Sequence, residues 1–583
     1  MEQRNLIIAV VASIAILIAS QAIFTFLFPP TPVTTTAPAT TGTPTPPSGA
    51  GTTAPTAPST TAEAQPTADR ASVIAATPRI TIQSPRLRGS IDLKGGRLDD
   101  LVLADYHETV DPRSKNIVLL SPVGAKDAYY ADFGWVSQEA GVALPGPDTV
   151  WQAEGTELAP GKPVTLTWDN GQGLKFTRRF ELDDNFMFTV TQRVENTGGK
   201  AVTLFPYGLI ARYGTPPLLN YYILHEGLLG VLDGRLDEVK YKDIKEKKQI
   251  DYSSTGGWLG ITDKYWLVAL VPDQKTAIAA SFRHGLQGST DLYQADFRGP
   301  AEVLDPGQTG ESATRLFAGA KEVKLLDRYD EQLGIPLFDR AVDFGWFYFL
   351  TKPIFDVLDF LYGMIGNFGV AILLLTILIR LLLFPLANKS YRAMNKMKAL
   401  TPEMNKLRER FAEDKARLQQ EMMALYKREK VNPAAGCLPI LVQIPIFFSL
   451  YKVLFVTIEM RHAPFFGWVK DLSAPDPTSI LNLFGLAPWS VPDFGMLGAL
   501  GSMLGILSIG VWPLIMGVTM WLQQRLNPAP PDPVQARIMS FLPIIFTFML
   551  AHFSAGLVIY WAWNNTLSIA QQRLIMWRMG VKP

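Results

Sequence analysis

The chain has 583 residues, 48% of them hydrophobic, with 54 Lys and Arg against 53 Asp and Glu. A formal net charge of +1 leaves no global field for nucleic acid, so no DNA partner is expected. The single cysteine, Cys437, excludes an internal disulfide and any cysteine-based zinc site. The five histidines are scattered, and His225-Glu226 lacks the second histidine four residues after the first that a metalloprotease helix needs. No metal site and no cofactor is therefore expected. Charge-free runs alternate with segments dense in Lys and Arg, which predicts a polytopic membrane protein.

Leu6 to Phe28 carries no charge over 23 residues, long enough to span a bilayer. It exceeds the roughly 7–15 residues of a signal-peptide core, so residues 1–28 read as an uncleaved anchor. Residues 29–77 are mostly Pro, Thr, Ala and Gly and have almost nothing to bury, as expected of an extended, disordered tether. Pro29 to Asp69 contains no Lys or Arg, which places the tether outside the cytoplasm.

Residues 78–336 have the texture of a soluble, strand-rich domain. In NFMFTVTQRVENTGG, Phe186, Phe188, Val190 and Val194 share one face at period two, with Gln192 the polar exception. Asn196-Thr197-Gly198-Gly199 ends the run as a turn. Several such segments predict an all-β sandwich. No nucleophile elbow or phosphate loop occurs in it, and its paired acids read as solvated turns, so no enzyme is expected.

Residues 337–367 are aromatic with recurring charges, the pattern of a helix lying in the membrane interface. The core, residues 368–583, should then hold five spans. Phe368 to Ala387 is the first of them and contains Arg380. A charge near the bilayer centre costs about 2.5–3.5 kcal/mol even on a lenient insertion scale, so it is either hidden or used. Residues 388–430 carry twelve basic and six acidic side chains, which marks the cytoplasmic side. Two antiparallel helices are expected there, with a start at Thr401-Pro402-Glu403 and a break near Glu413-Asp414. Ala435 to Thr457 is the next span, and another runs from about Val511 to Gln524 after a Gly-rich stretch. Ile538 to Ile569 has 32 residues without a charge, some 48 Å of helix against a core of roughly 30 Å. With basic residues at both ends it must be a hairpin, turning at Ser554-Ala555-Gly556. The total is six transmembrane helices with both termini cytoplasmic.

Thr376 and Arg380 share a helix face, and Tyr560, Asn564 and Ser568 recur every four residues. Gln443 lies in a third span. Polar groups in hydrocarbon need partners or water, so these predict one shared polar interior. No acid inside a span is positioned to pair with Arg380. An anion transporter or channel shares this feature but predicts repeated halves, and no internal repeat is visible. A carbohydrate-binding β domain on a membrane anchor leaves six spans unexplained.

QEMMALYKREKVNPAAGCLPILVQIPIFFSLYKVL resembles the core of the YidC membrane protein insertase family, as do RHAPFFGWVKDLSAPDP, GVTMWLQQ, RIMSFLPIIFTFM and SAGLVIYW. GGWLGITDKYWLVALVP extends the resemblance into the β domain. The resemblance implies a non-enzymatic insertase and chaperone of the Gram-negative inner membrane, with a periplasmic β-supersandwich. Nascent membrane proteins would be its clients, with the Sec translocon, a transiently bound ribosome and membrane lipids as partners. It also implies a hydrated substrate groove open to cytoplasm and lipid, lined by Arg380, Thr376, Gln443, Tyr560, Trp561 and Asn564. Trp561 stands where many relatives have a second tyrosine. The stretch 480–510 is longer than in those relatives, and the short tail after Gln572 offers no long basic extension for ribosomal RNA.

Overall fold

Alternating burial, as in Leu174–Leu182, builds two large sheets face to face, one of eleven strands, antiparallel but for its edge pair Arg79–Gln83 with Glu157–Leu158, and one of nine, all antiparallel. The computed structural model describes residues 57–58, 68–219, 223–411, 413–429, 438–486, 508–526 and 533–578. All of these lie in one unit, Pro55–Pro583. The anchor expected over residues 1–28, most of the tether, Cys437 and residues 487–507 of the Gly-rich stretch lie outside the described residues.

The period-two face read from the sequence holds. Phe186, Phe188, Val190 and Val194 are fully buried. Gln192 points inward with them and donates to the Tyr207 carbonyl at 3.2 Å. Its cross-strand neighbour Arg178 is buried too and donates to the carbonyls of Gly96, at 2.6 Å, and Phe133. Two polar side chains of one sheet thus satisfy carbonyls across the sandwich, which is why they survive inside an apolar face. Helices Arg70–Ala75 (α1) and Tyr241–Lys247 (α2) decorate the sandwich, and Val323–Leu333 (α3) closes it. Trp258, fully buried, donates to the Pro336 carbonyl at 3.0 Å and packs edge-on against Phe338.

Helix Tyr348–Ile365 (α4) buries Thr351, Ile354, Phe355 and Leu358 along one face. Two of its charges meet α3: Lys352 pairs with Asp327 at 2.6 Å, and Asp359 pairs with Lys324. The charges read as marking a membrane interface therefore also dock this helix on the β domain. Trp346, just before it, and Phe349 and Phe360 stay exposed.

Asn367 caps the next helix, Phe368–Leu382 (α5), by accepting from the Val370 N–H at 3.1 Å. The single spanning helix expected over Phe368 to Ala387 is broken. The chain bends by 63° into Phe384–Ala399 (α6). Pro385 has no N–H to continue the α5 ladder, and its ring crowds the preceding turn. Among the described residues no single helix is long and apolar enough to cross a membrane, but this bent pair is. Val442–Val456 and Arg537–Leu550 are shorter apolar helices.

Two helices were expected over residues 388–430. Instead α6 runs past that boundary, and Thr401–Arg410 (α7) and Lys415–Arg428 (α8) form the antiparallel pair, with the break where the sequence put it. Asp414 caps α8 through the Arg417 N–H, and Arg428 reaches Glu403 at 2.9 Å. Leu438–Val456 (α9), Val511–Leu526 (α10), Pro533–Leu550 (α11) and Ala555–Arg578 (α12) complete the bundle. The turn between α11 and α12 lies at the predicted place. The Ala555 and Gly556 N–H groups, orphaned at the start of α12, donate to the carbonyls of Ala474 and Leu472.

A polar seam joins sandwich and bundle. Lys452, near the end of α9, pairs with Asp343 at 2.7 Å and donates to the carbonyls of Ile223 and Asp343. Arg461 donates to the His107 carbonyl and lies over Trp266. Glu459 is half-buried with its Oε2 shut away from solvent, and its Oε1 accepts from the Val323 N–H at 2.9 Å, which caps α3 from the bundle side.

Candidate functional site

Arg380 occupies the last turn of α5, just before the bend, facing α12. Spacing of four residues along α12 puts Tyr560, Asn564 and Ser568 on the face that meets it. The guanidinium donates to Asn564 Oδ1 through Nε at 3.0 Å and through Nη2 at 2.7 Å. Nη2 also reaches the Asn564 carbonyl at 3.1 Å and Ser568 Oγ at 2.5 Å, and Nη1 reaches Gln571 Oε1 at 3.4 Å. Every one of these partners is neutral. They fix the direction of the fork without cancelling its charge.

Above this cluster Gln443 of α9 donates to the Tyr560 hydroxyl at 3.0 Å, which links a third helix. Trp561 turns the other way and packs on Phe447, with ring centroids 4.6 Å apart, and on Phe546 at 5.5 Å. Between these helices lies a cavity of about 600 Å³. Arg380, Gln443, Tyr560, Trp561 and Asn564 line it, and Phe447, Phe448, Leu542 and Phe546 give it an apolar wall. Five of the six residues expected at one site are thus brought together.

Thr376 is the exception. Its hydroxyl donates to the Ile372 carbonyl of its own helix at 2.7 Å, and it is buried outside the cavity lining. A hydroxyl inside a helix can satisfy itself four residues back, and spacing alone does not distinguish that from facing a cavity. Sequence reasoning missed Gln523 and Gln524 of α10 and Tyr391 of α6, which line the same cavity. The two glutamines stand at the C-terminal end of an apolar run, where they read as its boundary. Tyr391 is aimed here by the bend after α5, which the sequence reading did not include. Among the described residues no group of His, Cys, Asp and Glu side chains is disposed to hold a metal ion.

The model of the YidC periplasmic domain matches residues 79–357, and that of the 60Kd inner membrane protein matches residues 360–582. A membrane protein insertase YidC of Methylobacterium nodulans is 55% identical over 523 residues, covering 88% of this chain and 84% of that one. The chain belongs to the YidC family of membrane protein insertases. Another YidC insertase, of Granulibacter bethesdensis, is 50% identical over 586 residues, covering 99% of this chain and 98% of its own. A solved active YidC insertase with its first transmembrane domain resolved aligns over 84% of this chain and 91% of its own, at 19% identity and a TM-score of 0.34. Family membership decides for insertion over the transport and carbohydrate-binding readings. The protein is an inner-membrane insertase whose clients are membrane proteins, and its β sandwich is the periplasmic domain.

Proposed function

We propose that client segments enter the cavity between α5, α9, α10, α11 and α12, and that Arg380 attracts the acidic or polar segment that must cross. The observation that carries this reading is a cationic group whose partners among the described residues are all neutral, beside a cavity of about 600 Å³. A hydrated groove open to the cytoplasm and to lipid shortens the dry path for that segment. The apolar helix of the client then leaves for lipid, driven by about 0.8 kcal/mol for each CH₂ buried. This is a partition and not a bond-making reaction, so the insertase works without enzymatic chemistry.

The topology that serves this mechanism has six spans, with both termini and the helices α7 and α8 in the cytoplasm. The bent α5–α6 pair supplies one span and the α11–α12 hairpin two. Helix α4 rests at the outer interface, with Phe349 and Phe360 towards lipid and its charges towards α3. The cytoplasmic hairpin receives clients from a transiently bound ribosome, and the Sec translocon and lipids are lateral partners.

Site-specific photo-crosslinking to a ribosome-stalled small membrane protein tests the groove. A probe at Tyr560 should crosslink with a yield that changes with nascent-chain length. A probe at Ile545, exposed on α11, should not show that dependence. Equal, length-independent yields at both positions would remove the groove as the client path.

A further inference from the structure

One face of the eleven-stranded sheet points away from the sandwich core. Tyr130, Tyr207, Tyr213 and Leu292 stand on it across three neighbouring strands, with Tyr213 paired to Leu292 and Tyr130 to Ala211, between the other two tyrosines. Such a face would ordinarily be solvated, yet all four side chains are buried, and Ala57 of the N-terminal tether is buried among them at 2% exposure. Arg283 Nη1 donates to the Ala57 carbonyl at 3.3 Å, and Gln294 Nε2 donates to the Pro58 carbonyl at 3.2 Å. Both donors are held in place by Asp296, itself buried, which accepts from Gln294 at 2.9 Å and lies 3.4 Å from Arg283 Nε. They are therefore aimed before any peptide arrives.

We propose that this face is a binding groove for an extended Ala-Pro segment, and that its occupant is the chain's own Ala57-Pro58, which straps the tether onto the periplasmic domain. The chemistry matches on both sides. Proline offers no N–H, and it restricts the residue before it to extended conformations, so an Ala-Pro pair presents carbonyls and little else. The groove answers with two N–H donors and a wall of tyrosine rings, the surface on which proline-rich segments dock.

The tether does not have to bind tightly. Ala68 is fixed again on the same domain, in a bridge with Ala125 and with its N–H donating to the Gly124 carbonyl. Nine residues (59–67) lie between Pro58 and Ala68, and a flexible chain of that length has a root-mean-square span of roughly 17 Å. Such a leash holds the effective concentration of the segment in about the millimolar range, enough to fill a weak site. The strap divides the tether. It moves the first fixed point on the domain from Ala68 to Ala57, so 28 residues (29–56) in place of 39 (29–67) link it to the proposed anchor, and for flexible chains of those lengths the root-mean-square reach falls from roughly 34 to 29 Å.

The test is a distance measurement between spin labels in the full-length protein with Cys437→Ser. One label sits at Ser59→Cys, beside the docked pair. The other sits at Val303→Cys, exposed on a short strand of the same sheet. The strap predicts a single distribution at least about twofold narrower than that from a control label at Thr43→Cys. It also predicts that Arg283→Ala with Gln294→Ala broadens the distribution to the control width. A reference pair at Leu286→Cys and Val303→Cys reports whether the sheet stays folded. A Ser59 distribution as broad as the control in the unmodified groove overturns the proposal without reference to any variant. So does a narrow distribution that the double substitution leaves unchanged while the reference pair holds.

Discussion

The periplasmic domain and the bundle both bury cations; two ion pairs, one in the domain and one at the seam, contrast with Arg380 of the bundle, while Arg178 and Lys321 of the domain donate to neutral oxygens as well. In the domain, Arg212 pairs with Asp263 at 2.7 Å, and at the seam Lys452 pairs with Asp343 at the same distance. In the bundle, Arg380 meets an asparagine, a serine and a glutamine. A carboxylate cancels the field of its partner, so those pairs hold the architecture and project little charge. Amide and hydroxyl oxygens orient a guanidinium and leave its charge to act on whatever enters the cavity. Position in the fold matters less here than the charge of the partner.

The largest effect is expected where a pair is broken. Lys452→Ala leaves Asp343, half-buried at the seam, without its ion-pair partner and with the His225 N–H as its remaining hydrogen-bond donor among the described residues. Losing one partner of such a pair costs about 3 kcal/mol. Hydrogen exchange in the strand Gly227–Leu232 should rise, because that strand follows the Ile223–His225 segment tied to Lys452. Lys452→Met combined with Asp343→Leu should recover most of the loss. If Lys452→Ala leaves exchange unchanged, the seam does not depend on this pair.

Glu459 sharpens the comparison, because its carboxyl Oε2 is buried and no cation is paired to it among the described residues. Desolvation pushes its carboxyl up to about 7, against an ordinary 4.5. Between those values the folded state holds a proton that the unfolded state releases. Stability from this group is therefore complete below pH 4.5 and is lost as pH rises to 7. Glu459→Gln keeps an oxygen for the Val323 N–H and removes the ionisation. It should stabilise the protein by about 1–3 kcal/mol at about pH 8 and by nothing at about pH 4.5. His225, which burial pushes down to about 4, titrates with the opposite sign. Its contribution is complete above pH 6.5 and is lost as pH falls towards 4, and Glu459→Gln should leave that acid limb in place. Denaturant midpoints across about pH 4 to 8 separate the two.

These contrasts were unequally legible in the sequence. Arg380, Tyr560 and Asn564 could be read because a charge inside an apolar run and polar residues every four positions are local signals. Gln443 could be read for the same reason. The partner of Lys452 could not, because Asp343 is 109 residues away and nothing local marks the contact. The interior donors Gln192 and Arg178 look like breaks in a pattern until the carbonyls across the sandwich are in place. Pro385 is a local signal for the bend after α5, and a reading by apolar length alone runs straight through it. Thr376 shows the limit of face-sharing arguments, since its hydroxyl is used up within its own turn.

A smaller effect, confined to client chemistry, is expected at the cation held by neutral groups. Arg380→Gln keeps a polar side chain among Asn564, Ser568 and Gln571 and removes the charge. At an effective dielectric of about 20, two unit charges about 8 Å apart interact by about 2 kcal/mol. Insertion of a client with an acidic translocated segment should therefore fall roughly tenfold, the kinetic equivalent of about 1.4 kcal/mol. A client with a neutral segment should insert at the parental rate, and Arg380→Lys should restore most of the difference. An equal fall for both clients would mean that Arg380 supports the helices and does not attract the segment.

The smallest effect is expected above the cation, where neutral meets neutral. Gln443→Leu removes the donor to the Tyr560 hydroxyl and extends the apolar wall formed by Phe447 and Phe448. The hydroxyl then faces the cavity, where water or a client can meet it, so the loss is that of one ordinary hydrogen bond, about 1 kcal/mol. Acidic and neutral clients should be slowed alike, by less than about tenfold. The measurement is the ratio of the two insertion rates, which a general loss of packing leaves unchanged. A ratio that shifts as strongly as in Arg380→Gln would show that Gln443 orients the guanidinium through Tyr560, and the division between charge-bearing and neutral parts of the cavity would fail.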